Sequence, residues 1–223
     1  MSTPLRKIPA EPVFPESDGR PMGETGIHVN LIMDLKTTLE IHFQPQEDVL
    51  VGSNQLLFYL EGSPKRFLVP DLYVVRGTSR EPRRSYKLWE EGRPPNVVIE
   101  ISSESTFDQD LERKVDLYEL IGVKEYFIFD PQYDLQPQPL IGFRMKGRQY
   151  ETLRVKHGVV QSKELKLDLT DTGKTLRLRD PKTGQFLLTP QEENDARQQA
   201  EAEVARLRAE LARLQRQSRS GKK

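Results

Sequence analysis

The feature that most constrains the fold is a strand–helix–strand pattern in the middle of the chain. The apolar run 97–102 precedes a helical pattern over about 106–121, and a second apolar run follows at 125–130. Gly122 stands directly after the helical pattern, where a left-handed residue commonly ends a helix. Strands joined by a helix of this length run parallel with a right-handed crossover. The pattern therefore predicts a parallel strand pair with a helix packed on one face.

The segments around this unit predict one more helix and further strands. Apolar residues recur every four positions over about 24–43, which favours a helix. Strands are expected at 48–60 and 67–75, a long loop at 77–95, and antiparallel strands within 140–189. The fold class is therefore α/β (α+β-like), with parallel and antiparallel strands in one chain.

Proline and heptad patterns divide the chain into three parts. Residues 1–22 carry five prolines and predict a flexible N-terminal arm, while 23–189 form the domain. Residues 190–223 predict a helical tail whose apolar positions follow a heptad seam: Ala200, Val204, Leu207, Leu211 and Leu214. The seam is short, so two interpretations stand: a coiled coil that makes a homodimer or other homo-oligomer, and a solvated single helix.

Composition excludes several classes of protein. The 223 residues have no cysteine, a formal net charge of zero and only 3 histidines, which excludes zinc–cysteine sites and a broad basic coat. No apolar run approaches the roughly 20 residues of a membrane span, and no secretory leader is apparent. The chain is expected to be cytoplasmic, with no membrane partner.

Three charges stand inside apolar elements, which is costly unless they are paired or bind a metal. Asp71 lies in one strand-like run and Glu100 in another. Lys114 falls near the middle of the apolar face of the following helix, at about 100° per residue. A buried ammonium needs an anion opposite, and Glu100 shares a strand face with Val98 and Ser102 that can meet it.

Two interpretations of these charges are open. Asp71 and Glu100 brought close together would repel, and a hard divalent cation with oxygen ligands relieves that repulsion. Alternatively, Glu100 and Lys114 form an ion pair of purely structural value, with Asp71 at a strand end.

Two further residues are weaker candidates. His28 lies in the first helix and either contributes to the site or is a surface or partly buried histidine. Asp110 either pairs with Lys114 four residues later or reflects the preference for acidic residues at helix N-termini.

In their order along the chain, these motifs resemble the Uma-two-type restriction endonucleases of the PD-(D/E)xK nuclease superfamily. The segments that carry the resemblance are 69–71, 95–106, 114–118 and 122–131, together with Asp110. The resemblance implies a restriction-endonuclease-like core, with a mixed central sheet flanked by helices. It also implies cleavage of nucleic acid, and of DNA in particular, with Mg²⁺ (or Mn²⁺).

The resemblance assigns Asp71, Glu100 and a lysine to the catalytic site. The usual lysine of the superfamily stands two residues after the acid, where this chain has Ser102, and Lys114 on the next helix takes its place. The metal ligands would be Asp71, Glu100 and the backbone carbonyl of Ile101. The alternative is a catalytically inactive binding or assembly module that kept the nuclease fold and oligomerises through its tail.

Overall fold

The computed structural model describes residues 12–17, 25–103, 107 and 109–220. The chain divides into two compact units, residues 1–187 and 188–223, and the predicted boundary after residue 189 lies close to this division. In chain order, the helices are α1 (Gly26–His42), α2 (Leu88–Glu91), a π-helix (Gln109–Lys114), α3 (Val115–Ile121) and α4 (Pro190–Ser220). The strands are β1 (Val49–Gly52), β2 (Leu57–Phe58), β3 (Phe67–Leu68), β4 (Leu72–Arg76), β5 (Tyr86–Lys87), β6 (Val97–Ile101), β7 (Glu125–Phe129), β8 (Leu140–Lys146), β9 (Gln149–Thr152), β10 (Val159–Ser162), β11 (Leu167–Asp171) and β12 (Leu176–Arg179).

A six-stranded mixed sheet forms the centre of the first unit. Its order is β1-β4-β6-β7-β8-β9, in which β6 and β7 are parallel and the other neighbours antiparallel. The predicted strand–helix–strand unit and mixed sheet are therefore confirmed.

Alternation along the central strands separates two apolar cores, one on each face of the sheet. In β6, Val97, Ile99 and Ile101 join the core that contains the buried face of α1. Val98 joins the opposite core, which contains Tyr118 of α3. Side chains alternate faces along a strand, so β6 is held by helices from both sides.

Two predicted strands are each broken in two. The expected strand 48–60 is β1 and β2, and the expected strand 67–75 is β3 and β4. β1 and β4 belong to the central sheet, while β2 and β3 belong to a second sheet of order β3-β2-β5. The predicted long loop 77–95 also contains β5 and the one-turn helix α2. The two-residue strand β5 carries too few side chains to show a period, which is why the sequence pattern did not indicate it.

The helix expected over 106–121 is regular only in its second half. The chain forms a π-helix over Gln109–Lys114 and becomes α-helical only at Val115. Gly122 ends α3 in the left-handed conformation, at φ 87°, as predicted. Residues 104–106, which include the predicted first residue of this helix, lie outside the described residues.

The C-terminal part of the first unit is antiparallel, as expected. Strands β10, β11 and β12 form a separate three-stranded sheet, whose first strand the sequence pattern did not indicate.

In the predicted N-terminal arm, residues 12–17 are described, and the ring of Phe14 lies 5.0 Å from that of Phe58 and 5.2 Å from that of Trp89. At least this part of the arm packs on the domain.

The second unit contains the predicted tail helix, α4. A capping box precedes it, because the Thr189 amide donates to Glu192 Oε2 (2.8 Å) and the Glu192 amide to Thr189 Oγ1 (3.3 Å). None of the helices described here has the length and apolar character needed to cross a bilayer.

Candidate active site

Asp71 and Glu100 meet where the pairing of β4 with β6 ends. The last register pair is Leu72 with Ile99, so Asp71 comes opposite Glu100. There the side chains replace the main-chain ladder: the Asp71 amide donates to Glu100 Oε2 (3.2 Å) and the Ile101 amide to Asp71 Oδ2 (2.7 Å). Pro70 has no N–H, and its carbonyl accepts a hydrogen bond from the Asn54 amide (3.0 Å) instead. The strand break at Pro70 thus turns the Asp71 carboxylate onto the end of β6.

Lys114 pairs with Glu100 across the sheet–helix interface. Its Nζ lies 3.0 Å from Glu100 Oε1, with 19% of the lysine side chain exposed and none of the glutamate side chain. The predicted orientation of Glu100 toward the crossover helix is therefore confirmed, and so is the anion opposite Lys114. A fully buried carboxylate requires such a partner, since desolvation of a lone charge is expensive.

Tyr118 completes the environment of Glu100, and sequence reasoning missed it. Its hydroxyl donates to Glu100 Oε1 at 2.7 Å. Complete burial, followed by the negative charge of Glu100, raises the pKa of Tyr118 well above its ordinary value, so the hydroxyl stays protonated and remains a donor. Tyr118 stands one helical turn after Lys114 on the same face, and this spacing was the available signal.

His28 approaches the same carboxylate pair from the other face of the sheet. It lies in the first turn of α1, capped by Thr25 Oγ1, and its Nε2 is 3.3 Å from Asp71 Oδ2. His28 is buried, at 5% exposure, so the helix-surface interpretation is wrong. The structure thus brings together four predicted residues: His28, Asp71, Glu100 and Lys114.

The remaining candidates have other surroundings. Ser102 is buried beyond the end of β6, and its amide donates to the Phe129 carbonyl (2.8 Å). The Ile101 side chain belongs to the core on the α1 face, and its carbonyl as a ligand stays a prediction. The Asp110 side chain lies outside the described residues, so its pairing with Lys114 also stays a prediction.

The basic residues around Trp89 are engaged in local ion pairs. Arg83 pairs with Glu91, Arg84 Nη1 lies 2.7 Å from Glu16 Oε1, and Lys87 Nζ lies 2.8 Å from Glu90 Oε1. These contacts favour a structural role for the basic side chains of this surface segment.

Another buried carboxylate, Glu125, has a structural role. One of its oxygens accepts from Arg144 Nε at 2.7 Å and the other from the Ser162 hydroxyl. The amides of Lys163 and Glu164 also donate to it, at 3.0 and 3.2 Å. No sequence pattern predicted a role for Glu125, and its contacts join β7 to the β10–β11 turn.

The donor set at the site fits Mg²⁺ chemistry. Within the described part of the chain, no group of three or more His, Cys, Asp or Glu side chains is arranged to hold a metal ion. Mg²⁺, however, usually binds through one or two carboxylates and keeps several waters. Asp71 and Glu100 supply two such carboxylates, and Asp71 is the less buried of the two, at 9% exposure against 0% for Glu100.

A mixed sheet flanked by helices, with two carboxylates meeting at the end of its central strands, is the architecture that the resemblance to restriction-endonuclease-like proteins implies. The sequence profile of the family Uma2, described as "Putative restriction endonuclease", matches residues 13–175. The chain therefore belongs to this family.

Other comparisons add little to this assignment. A solved structure, described as a "putative nuclease belonging to DUF820" from Anabaena variabilis ATCC 29413, is similar at 14% identity and a TM-score of 0.47. The match covers 64% of this chain and 75% of that one. No curated protein matches the sequence. The family description supports nuclease activity in general.

Proposed function

We propose that the protein is a metal-dependent endonuclease that hydrolyses phosphodiester bonds of nucleic acid, and of DNA in particular. The observation that carries the proposal is the meeting of Asp71 and Glu100 at the end of β6, with Lys114 Nζ 3.0 Å from Glu100. Family membership supports the reaction class, and the two carboxylates support a hard divalent cation as cofactor.

Asp71 and Glu100 would hold Mg²⁺ or Mn²⁺, with the Ile101 carbonyl as a further ligand. When bound, such a cation polarises a phosphoryl oxygen and lowers the pKa of a coordinated water. The Ile101 amide fixes Asp71 through Oδ2, which leaves Oδ1 as the oxygen for other ligands.

Lys114 would stabilise negative charge on the phosphate and orient the attacking water. Its ammonium is already desolvated and held in place by Glu100, so little reorganisation is required during the reaction. Tyr118 would keep Glu100 in one orientation, and His28 would do the same for Asp71 from the opposite face of the sheet.

Cleavage assays on plasmid and oligonucleotide DNA, with Mg²⁺ or Mn²⁺, test the proposal. Wild type should cleave, and each of Asp71→Asn, Glu100→Gln and Lys114→Met should lower the rate by about 100-fold or more. Asp116→Asn and Lys124→Met are matched controls, since Asp116 is exposed on α3 and the Lys124 side chain is 56% exposed. Controls that lose as much activity as the site variants would contradict these roles.

Calorimetric titration with Mg²⁺ or Mn²⁺ tests the metal site without relying on activity. Wild type should bind a divalent cation, and Asp71→Asn should bind it at least tenfold more weakly. Binding of equal strength in the two proteins would rule out Asp71 as a ligand.

The second candidate function is a catalytically inactive module that binds or assembles partners. Ser102 in place of the usual strand lysine, and α4 with its exposed apolar seam, favour it. No metal binding at millimolar concentrations, combined with no cleavage of any tested DNA or RNA, would support this module over the enzyme.

A further inference from the structure

We propose that α4 forms a parallel, two-stranded coiled coil with α4 of a second copy of the chain. The proposal goes beyond homo-oligomerisation in general, because it names the occupant, the direction and the pairing. It does not depend on nuclease activity.

The apolar residues of α4 form a single exposed seam. Every Val and Leu of the helix belongs to it: Val204, Leu207, Leu211 and Leu214, which are 45%, 52%, 57% and 54% exposed. Helices in proteins gain most of their stability from packing of their apolar face, and isolated helices are only marginally stable in water. A partner that covers this one seam would therefore stabilise the 31-residue helix.

The residue types in the seam favour two strands. In heptad positions abcdefg, Val204 and Leu211 occupy a, while Leu207 and Leu214 occupy d. A β-branched residue at a with leucine at d favours two-stranded coils. Ala200, the preceding d residue, extends the seam toward the start of α4.

Charges beside the seam favour the parallel direction. Glu203 occupies position g and Arg208 occupies position e. In a parallel pair, position g of one helix faces position e of the next heptad of its partner. Two Glu203–Arg208 pairs therefore form between the two copies, one on each side of the seam. Both side chains are exposed in the single chain, where Glu203 Oε1 accepts from Arg206 Nη2 at 2.7 Å. This contact within one helix uses Arg206 and not Arg208, so Arg208 can pair with Glu203 of the second copy.

The antiparallel direction brings like charges together. If the seam 204–214 paired with itself in reverse, Arg208 would lie opposite its own copy on one side of the seam, and Glu210 opposite its own copy on the other. Like charges across an interface disfavour that arrangement. A second copy in parallel is therefore the partner that matches both the seam and its flanking charges.

Cysteine cross-linking of the full-length chain tests the direction, because the chain contains no cysteine of its own. Val204→Cys and Leu214→Cys place single thiols at an a and a d position that face each other in the reversed pair, about 15 Å apart along one helix. In a parallel pair each variant should form a disulfide-linked dimer with itself, since equivalent residues of the seam approach within disulfide distance. Cross-links that form only in a mixture of the two variants would show an antiparallel pair and overturn the proposal.

Charge reversal and solution mass test the pairing. Light scattering should give twice 25.8 kDa for wild type at high concentration. Arg208→Glu should weaken the dimer at least tenfold, and Glu203→Arg combined with Arg208→Glu should restore it. A wild-type monomer at every concentration, or a double variant no better than Arg208→Glu, would overturn the proposal. Glu100→Gln should remain dimeric, so a failure of the proposed nuclease function is distinguishable from a failure here.

Discussion

At the residue scale, the central observation is that one oxygen of Glu100 receives two donors. Lys114 Nζ and the Tyr118 hydroxyl lie 3.0 and 2.7 Å from Oε1, while Oε2 faces the Asp71 amide. The orientation of this buried carboxylate is therefore fixed on both sides. The two donors differ in kind, since only the lysine contributes charge, and their removal should have different consequences.

Lys114→Met should lower the free energy of unfolding by about 3 kcal/mol, because it leaves the Glu100 charge buried without its cation. Urea denaturation measures this loss, and the double variant with Glu100→Gln should recover part of it. Lys124→Met is the control: its partner Glu164 is 3.4 Å away at the surface, and the change should be within about 0.5 kcal/mol. Equal effects of the two lysine substitutions would contradict a buried pair.

Tyr118→Phe should cost about 2 kcal/mol of stability, because it removes a hydrogen bond to an ionised carboxylate. Its more specific effect should be on divalent metal affinity, which falls when Glu100 can reorient. Tyr150→Phe is the matched control, because that hydroxyl donates to the Val123 carbonyl at 2.8 Å. Calorimetry should give weaker metal binding for Tyr118→Phe and unchanged binding for the control; equal binding in both would remove Tyr118 from the site.

At the scale of elements, the turn after α3 sets the path from the Lys114 helix into β7. Gly122 adopts φ 87°, which disfavours any residue with a side chain. Gly122→Ala should lower the free energy of unfolding by about 1 to 2 kcal/mol from backbone strain, since the added methyl group would meet only Pro94 Cγ at 3.7 Å. Gly26→Ala, at the open start of α1, should not destabilise the protein. Thermal unfolding of both variants measures the difference.

Part of the site and of the fold could be predicted from the sequence, and part could not. Charges in apolar runs identified Asp71, Glu100 and Lys114 because such charges are costly without partners. Tyr118 was missed because a tyrosine on an apolar face is ordinary, and only the structure reveals its hydroxyl contact. The π-helix was missed because its defining feature is a main-chain hydrogen-bond pattern, which side-chain periodicity does not encode.

At the scale of the whole molecule, buried and partly buried tyrosines make the stability of the fold depend on pH in the alkaline range. Burial is the largest cause that raises the pKa of Tyr73, Tyr86, Tyr118, Tyr133 and Tyr150 above the ordinary value. Their contribution to stability is complete below about pH 10, the pKa in the unfolded chain. It is lost as the pH rises toward the folded-state values, because only the unfolded chain then releases the protons.

The free energy of unfolding should therefore decrease above pH 10, by up to about 1.4 kcal/mol per pH unit for a buried tyrosine such as Tyr118. Denaturant unfolding at several alkaline pH values measures the slope, and tyrosinate absorbance reports the ionisation. Tyr118→Phe should have a shallower slope than wild type. A wild-type stability independent of pH between 10 and 12 would contradict this prediction.

The meeting of four distant segments at the end of β6 has a consequence for biosynthesis. His28, Asp71, Glu100 and Lys114 leave the ribosome one after another, and β6 is enclosed only after β7 has been made to pair with it. Fragments that end before β7 lack the parallel neighbour that holds Glu100 in place. A translation product cut short there would carry both carboxylates but not the assembled site, so any cleavage activity would arise only after most of the domain has been synthesised.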